Sequence, residues 1–388
     1  MTIMTTESLR GRLALMGGHC AGMLDLVALP VWVGALVARY GFDAQQAGLL
    51  ATLFLLGAVG GSLAIAPRIA ALDARRVALG GFAAGALVFA AVSVCAGFAA
   101  MAALHALAGL CVGAALSAVH GTIARGDRPH RGFALAGMSL GVFAITFYAG
   151  APALVAWAGG AALFRLFAVV MAVAALLAAI GFPRLAPVAP RAGTGRGATP
   201  IAPAVWFGVA GIGAMAVVQS MTFAFLERAG IDRGFGAEAV AGVLVALGFV
   251  NLFPAALAAL LERRLAARRV LLAGPAVQAA LAVVISAAPG FGAWAAAASV
   301  FAAVMLFTHT FVFGVLARLD PTGRALAATP AMLMTGAAIG PVLGGTLVKT
   351  LGYPSLGLTA LAIGAVAVAC FSRVRQAAAP SPSMEAPA

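Results

Sequence analysis

Few side chains in this apolar chain can do chemistry, and four of them, Asp25, His105, Gln219 and His309, lie far inside long apolar runs. An ionisable side chain within a bilayer is costly, and the default expectation is that it serves a function. Asp25 is the leading candidate. An isolated carboxyl in a low-dielectric setting favours its neutral form, and it ionises when water or a solute reaches it. Such a group can take a proton from one side and release it to the other. His105, whose imidazole titrates near neutrality in water, is the expected second proton-coupling group. Asp25 reads as the only carboxylate deep in any apolar run, with every other acid in a loop, a tail or at the end of a run. His19 and His120 lie nearer the ends of their runs, and Asn251 and Gln278 lie in runs of their own.

Other chemistry is missing from the sequence. The runs that hold these residues carry no Arg or Lys near their middles, which disfavours phosphate esters and carboxylates as solutes. Cations, neutral solutes or amphiphiles fit better. No Gly-Lys-Ser/Thr loop is present to hold a nucleotide. Cys20, Cys95, Cys111 and Cys370 have neither paired nor metal-ligand spacing and read as small buried hydrophobes. No catalytic site, metal or cofactor is expected, so the chain is not read as an enzyme.

The elements that must position these residues follow from composition. Of 388 residues, 63% are hydrophobic and 9% charged, with a mean hydropathy of +1.08. A soluble domain carries about a quarter charged residues. Runs of about 20 apolar residues are long enough to cross a hydrocarbon layer of about 30 Å as helices. Twelve spans are expected, over 13–38, 45–67, 77–97, 99–123, 133–157, 161–182, 204–227, 236–260, 270–288, 291–317, 325–349 and 353–372. The first carries Asp25 and lacks a small-residue cleavage site, so it reads as an uncleaved span rather than a signal peptide. The net charge of +13 does not point to nucleic acid, because the arginines sit in short loops and form no stripe interleaved with aromatics.

The halves repeat. Leu72-Asp73-Ala74-Arg75-Arg76-Val77-Ala78-Leu79-Gly80-Gly81 matches Leu265-Ala266-Ala267-Arg268-Arg269-Val270-Leu271-Leu272-Ala273-Gly274 at seven of ten positions, with an offset of 193. A basic turn repeated at half the chain length predicts two related bundles. The domains are therefore expected at 1–182 (six helices), 183–203 (a Pro/Gly/Arg-rich cytoplasmic linker), 204–375 (six helices) and 376–388 (a disordered tail). With the N-terminus inside, nineteen of the 24 basic residues fall in inside segments. Arg39, Arg228, Arg233 and Lys349 fall outside, and Arg165 lies within the sixth span. The positive-inside rule then puts both termini in the cytoplasm.

Twelve spans as two sixes, a long central loop, and a basic turn after spans two and eight resemble the major facilitator superfamily, and within it the drug and metabolite efflux members. The loop after span two (Gly61-Ser62-Leu63, Pro67-Arg68, Asp73-Ala74-Arg75-Arg76) keeps the family's basic pair but lacks its early acid and second glycine. Span four reads Leu104-His105-Ala106-Leu107-Ala108-Gly109-Leu110-Cys111-Val112-Gly113, with His105 where efflux members often carry an arginine. Span five has Gly137, Gly141, Gly150 and Pro152, with Ala151 interrupting the Gly-Pro pair, and span eleven has Gly340-Pro341-Val342-Leu343-Gly344-Gly345.

The resemblance implies a central cavity lined by spans one, four, seven and ten, each of which holds one of the four polar residues. It implies a substrate cavity made by Trp32, Met215, Gln219, Phe223, Met305 and His309. Trp32 lies seven residues from Asp25 on the same helical face. The resemblance also implies loop gating at Arg75, Arg76, Arg268 and Arg269, and hinges at Gly150, Pro152, Gly340 and Pro341. The fold implied is all-α, and the function is alternating-access secondary transport, with proton-coupled export of a small organic solute by antiport as the leading reading. Uptake by symport, or a facilitator using no gradient, is the alternative for a neutral or cationic solute; a non-transporting membrane sensor is the alternative from another class. The expected partners are the lipid bilayer, the solute and protons, for a monomer in the bacterial inner membrane.

Overall fold

The computed structural model describes residues 5–65, 68, 72–184, 202–320 and 324–374, and the side chains of His130 and of residues 324–332 are not described. Most of the expected linker and the whole of the expected tail lie outside these residues. Among the described residues there are fifteen helices and no strand. In chain order they are α1 (Leu9–Gly22), α2 (Leu24–Tyr40), α3 (Ala44–Ile65), α4 (Ala74–Val92), α5 (Phe98–Ala124), α6 (Pro129–Ala158), α7 (Gly160–Gly181), α8 (Pro203–Ala224), α9 (Leu226–Asp232), α10 (Ala237–Val250), α11 (Pro254–Leu261), α12 (Ala267–Ala287), α13 (Phe291–Leu319), α14 (Arg324–Leu351) and α15 (Pro354–Ser372).

Among the described residues, eleven spans are long and apolar enough to cross a bilayer, and the 28-residue α14 makes the twelfth long segment. Three spans are broken: α1 and α2 form the first, α8 and α9 the seventh, and α10 and α11 the eighth. Proline accounts for the third break: Pro254 cannot bond the Val250 carbonyl across the turn at 251–253, whereas Pro30 lies inside α2. Sequence reading took each broken span as one helix.

Local chemistry sets the ends. Ser8 caps α1 by accepting from Gly11 N at 3.1 Å. Asp73 caps α4 by accepting from the Arg75 and Arg76 N–H groups at 3.0 and 3.3 Å. Pro129, Pro203, Pro254 and Pro354 open helices at positions where a missing N–H costs nothing. Gly41, with φ of 68°, closes α2 in the left-handed conformation.

The repeat survives in three dimensions. Arg75 and Arg76 are the second and third residues of α4, and Arg268 and Arg269 hold the same places in α12. Each pair begins the third span of its half. Their surroundings differ. Arg75 reaches the C-terminal end of α7, donating to the carbonyls of Ala178 (3.4 Å) and Ala179, where the helix dipole favours a cation. Arg76 pairs with Asp73 at 3.3 Å, and Arg268 and Arg269 stand exposed.

Small residues bring the helices close. Gly57 and Gly61 of α3 face the backbone of α5 at Ala106 and Leu110, while Gly109 and Gly113 of α5 face α3 at Phe54 and Ala58. A methyl group at any of the four would overlap a carbonyl oxygen. This is a double Gly-x-x-x-Gly contact, which suits lipid because close backbone approach, not apolar burial, drives helix association there. In the C-terminal half, Gly336, Gly340 and Gly344 of α14 seat against α8 in the same manner. Large apolar side chains such as Leu87, Val169, Leu176 and Leu361 stand exposed, as a hydrocarbon solvent permits.

If backbone approach holds α3 on α5, Gly109→Val lowers stability by about 1–3 kcal/mol. Gly60→Val on the open face of α3, where nothing lies within 4 Å, leaves it unchanged. Thermal unfolding of both variants in one detergent checks this, and equal losses would contradict it.

Candidate functional site

The two halves meet along α3 and α14, near the end of the molecule that carries the turns at 41–43 and 352–353. In α14, which runs unbroken from Arg324 to Leu351, the Ala338 carbonyl and the Val342 N–H lie four residues apart. Thr52 of α3 reaches both: its hydroxyl donates to Ala338 O at 2.6 Å and accepts from Val342 N at 3.2 Å. Pro341, having no N–H of its own, already weakens the ladder there. Gly48 of α3 touches the Pro341 carbonyl closely enough that a methyl group would collide with it, and Gly345 of α14 meets Ala44 in the same way. Gly340 leaves room for Ser220 and Met221 of α8. The expected hinge Gly340–Pro341 therefore sits where three helices of the two halves cross. The other expected hinge is differently placed. Pro152 lies inside α6, and Gly150 has open space around it.

A polar cluster closes the turn end. Lys349 pairs with Asp43 at 2.9 Å and donates to Gln45 Oε1 at 3.2 Å, while Gln45 Nε2 donates to Thr346 Oγ1 at 3.2 Å. Partial burial pushes the Asp43 carboxyl up, but the Gln46 N–H and the hydrogen bond and charge of Lys349 outweigh it and hold the group below its ordinary range. What Asp43 contributes to closure is thus complete above the ordinary aspartate range and is lost only as pH falls through its lowered value. Further contacts join the halves through α6 and α10, where Gly248 packs on Ile145 and Gly141 on Leu252, and through α2 and α9, where Gly34 faces Glu227. By contrast α1 packs on α5, α6 and α7 of its own half. The halves are thus joined toward the turn end, away from the end of the repeated arginines.

Of the polar residues expected from sequence, Asp25, Gln219 and His309 are half-buried, and they lie in the first, seventh and tenth spans. Asp25 sits in the first turn of α2, two residues after the Met23 break. Gln219 accepts at Oε1 from Gln278 Nε2 at 3.1 Å, and the same nitrogen donates to Met215 O at 3.2 Å. His309 bonds its own helix at Met305 O, 3.3 Å away, and stands edge-on to Phe313 with ring centroids 4.9 Å apart.

His105 is placed differently. It is fully buried, and both ring nitrogens are engaged. Trp32 Nε1 can only donate, so His105 Nε2 accepts from it at 3.2 Å. Nδ1 must then carry the proton and donate to Met101 O at 2.7 Å. The imidazole is a neutral link between α2 and α5, stacked on Trp32 at 5.3 Å within a cage of Phe54, Phe89, Phe164 and Phe167. Trp32, Met215, Phe223 and Met305, expected to line a cavity, are likewise buried between helices. Trp32 and Phe223 belong to one core cluster and Met215 and Met305 to another. The structure thus joins Trp32 with His105, and Gln219 with Met215, and leaves these pairs apart.

Three features escaped sequence reading. Thr52 is a single threonine in an apolar run. Tyr148 of α6 is buried and donates to Val27 O at 2.8 Å, holding α6 on α2. Glu227 reads as a carboxylate at a span end; α9 continues the span past it, and its Oε2 is buried. Asp25 is therefore not the only deep carboxylate. The signal for Glu227 was present in Phe225-Leu226-Glu227, which parallels Met23-Leu24-Asp25.

Comparisons with known proteins agree with this architecture. The sequence model of the Major Facilitator Superfamily matches residues 14–320. No curated protein matches the chain. Among solved structures, a crystal structure of a mutant of the nucleoside transporter NupG is similar, with a TM-score of 0.70 at 13% identity, covering 95% of this chain and 99% of that one. At that identity the likeness is one of fold.

Thr52→Val keeps the shape of the side chain but removes the hydroxyl's two hydrogen bonds to α14. The expected cost to the closed arrangement is about 1–3 kcal/mol. Cysteines replacing Gln45 and Thr346, in a background lacking the native cysteines, should then form a disulfide more slowly when Thr52→Val is added. An unchanged rate would show that the hydroxyl does not hold the halves together.

Proposed function

Because this chain belongs to the Major Facilitator Superfamily, we propose that its transport is proton-coupled and that it carries a small neutral or cationic organic solute by alternating access, with Asp25 as the coupling carboxylate. Both termini then face the cytoplasm of a bacterium, a placement that the arginine distribution supports. On that topology the contacts that join the halves lie toward the outer end.

One observation carries the reading. Asp25 is an acid well inside the first span, next to a helix break, with no ion pair among the described residues. An acid kept there uncompensated is best explained by a proton that comes and goes. Gln219 and His309, half-buried in the seventh and tenth spans, supply hydrogen-bonding groups for the solute from the opposite half. His105 carries no proton in this scheme, since its nitrogens are committed to Trp32 and Met101.

Export by antiport is the first reading: external protons reach Asp25, displace the solute outward, and return inward on the carrier. Uptake by symport is the second, and the fold shared with a structure named as a nucleoside transporter favours it. In that case a proton and a neutral, hydroxyl-rich solute enter together.

Proteoliposomes with an imposed pH gradient separate the two when assayed with radiolabelled nucleosides and with cationic dyes. The proposal predicts that Asp25→Asn folds, inserts and exchanges solute, but no longer accumulates it against its gradient. Gradient-driven accumulation by Asp25→Asn at the wild-type rate would show that Asp25 is structural.

A further inference from the structure

The first and seventh spans both break, the first near its middle and the seventh toward its turn end. The first breaks at Met23 and resumes Leu24-Asp25; the seventh breaks at Phe225 and resumes Leu226-Glu227. Each acid lies in the first turn after its break. The two acids are not repeat equivalents: at the offset of 193, Asp25 corresponds to Val218, and Glu227 lies nine residues further along its span.

Glu227 lies at the contact between the halves. Its Oε2 is buried and has no hydrogen-bond partner. Opposite it stands Gly34 of α2, and a methyl group there would come within 3.2 Å of that oxygen. The missing side chain at Gly34 is the room that the carboxyl occupies. The nearby polar groups are already engaged. Arg228, the next residue, is held by Asp232 at 2.6 and 3.0 Å. Tyr148 of α6 gives its hydroxyl proton to Val27 O. Asp232 also accepts from Tyr353 Oη at 2.7 Å. The α8 segment has no titratable residue, and the one on α10, Glu238, is exposed. On α2 the titratable residues are Asp25, Arg39 and Tyr40, and Gly34 is the residue that faces Glu227.

A carboxylate anion buried without a cation or donor is strongly disfavoured, while the neutral acid is tolerated. The closed contact of α2 with α9 therefore accepts Glu227 with its proton and rejects it without. From this geometry we propose that Glu227 is a second proton-carrying group of the transport cycle: with its proton bound the halves close on each other at the turn end, and loss of the proton to water opens that end. The inference deepens the proton-coupled reading above and rests on it. Asp25 would then link the proton to the solute, and Glu227 would link the proton to the conformation.

Spin labels at Ala158→Cys and Leu351→Cys, both exposed at the turn end and in opposite halves, report closure without any solute. In nanodiscs, the wild-type distance distribution should move from short to long as pH rises. Glu227→Gln, which copies the protonated shape, should stay short at every pH, and Asp25→Asn should keep the pH response. Should Glu227→Gln prove unstable, Glu227→Met, also uncharged and of similar length, should show the same fixed short distance. A wild-type pH response that persists in a folded Glu227 variant, or no response in the wild type, overturns the proposal. Proton-driven flux in vesicles is measured beside it. Wild-type flux together with a response that survives Glu227→Gln sinks this inference alone, whereas absence of proton-driven flux in the wild type sinks the proton-coupled reading itself.

Discussion

The arrangement of the two halves depends on the contact of α3 with α14, where the Thr52 hydroxyl bonds both the Ala338 carbonyl and the Val342 N–H. In hydrocarbon every backbone N–H and C=O must find a partner within the protein. A proline at 341 weakens the helix, and a side chain from the other half adds two hydrogen bonds beside it. Gly48, Gly340 and Gly345 remove the side chains that would keep these backbones apart. A proline-weakened segment of one half, held by a side chain of the other, is a place where a rocking transporter can flex.

Around that contact the polar groups divide by task. Some hold the structure: Arg75 on the end of α7, Arg233 on the carbonyls of Ile285 and Ser286 at the end of α12, and His105 between Trp32 and Met101. Each is held by at least two hydrogen bonds. Others keep spare capacity within the bundle, namely Asp25 in the first span and the unpartnered oxygen of Glu227 in the seventh. Satisfied groups stabilise, whereas groups left short of a partner are where a proton or solute can change the energy of one state against another. That distinction separates His105 from Asp25, which residue type alone could not do.

Much of this was legible in the sequence. Span count and order followed from the length of the apolar runs, and the duplicated basic turn located equivalent residues, since Arg75 and Arg268 hold the same place in α4 and α12. The breaks at Met23 and Phe225 were not legible, because hydropathy runs unbroken through both. That omission hid Glu227, whose neighbours Arg228 and Asp232 look like the start of a loop until α9 is seen to continue the span. The aromatic residues were misleading for another reason. Helical spacing puts Trp32 on the face of Asp25, but only tertiary packing shows that Trp32 is enclosed by four phenylalanines.

Two distances measured in the same nanodisc preparation bear most directly on the α3–α14 contact as the axis of motion. Labels at Ala158 and Leu351 span the turn end, and labels at the exposed positions Asp127 and Arg263 span the arginine end. If the halves rock about the Thr52–Pro341 crossing, any change of pH or solute that lengthens the first distance shortens the second. Both ends opening together, or one moving while the other stays fixed, would contradict it.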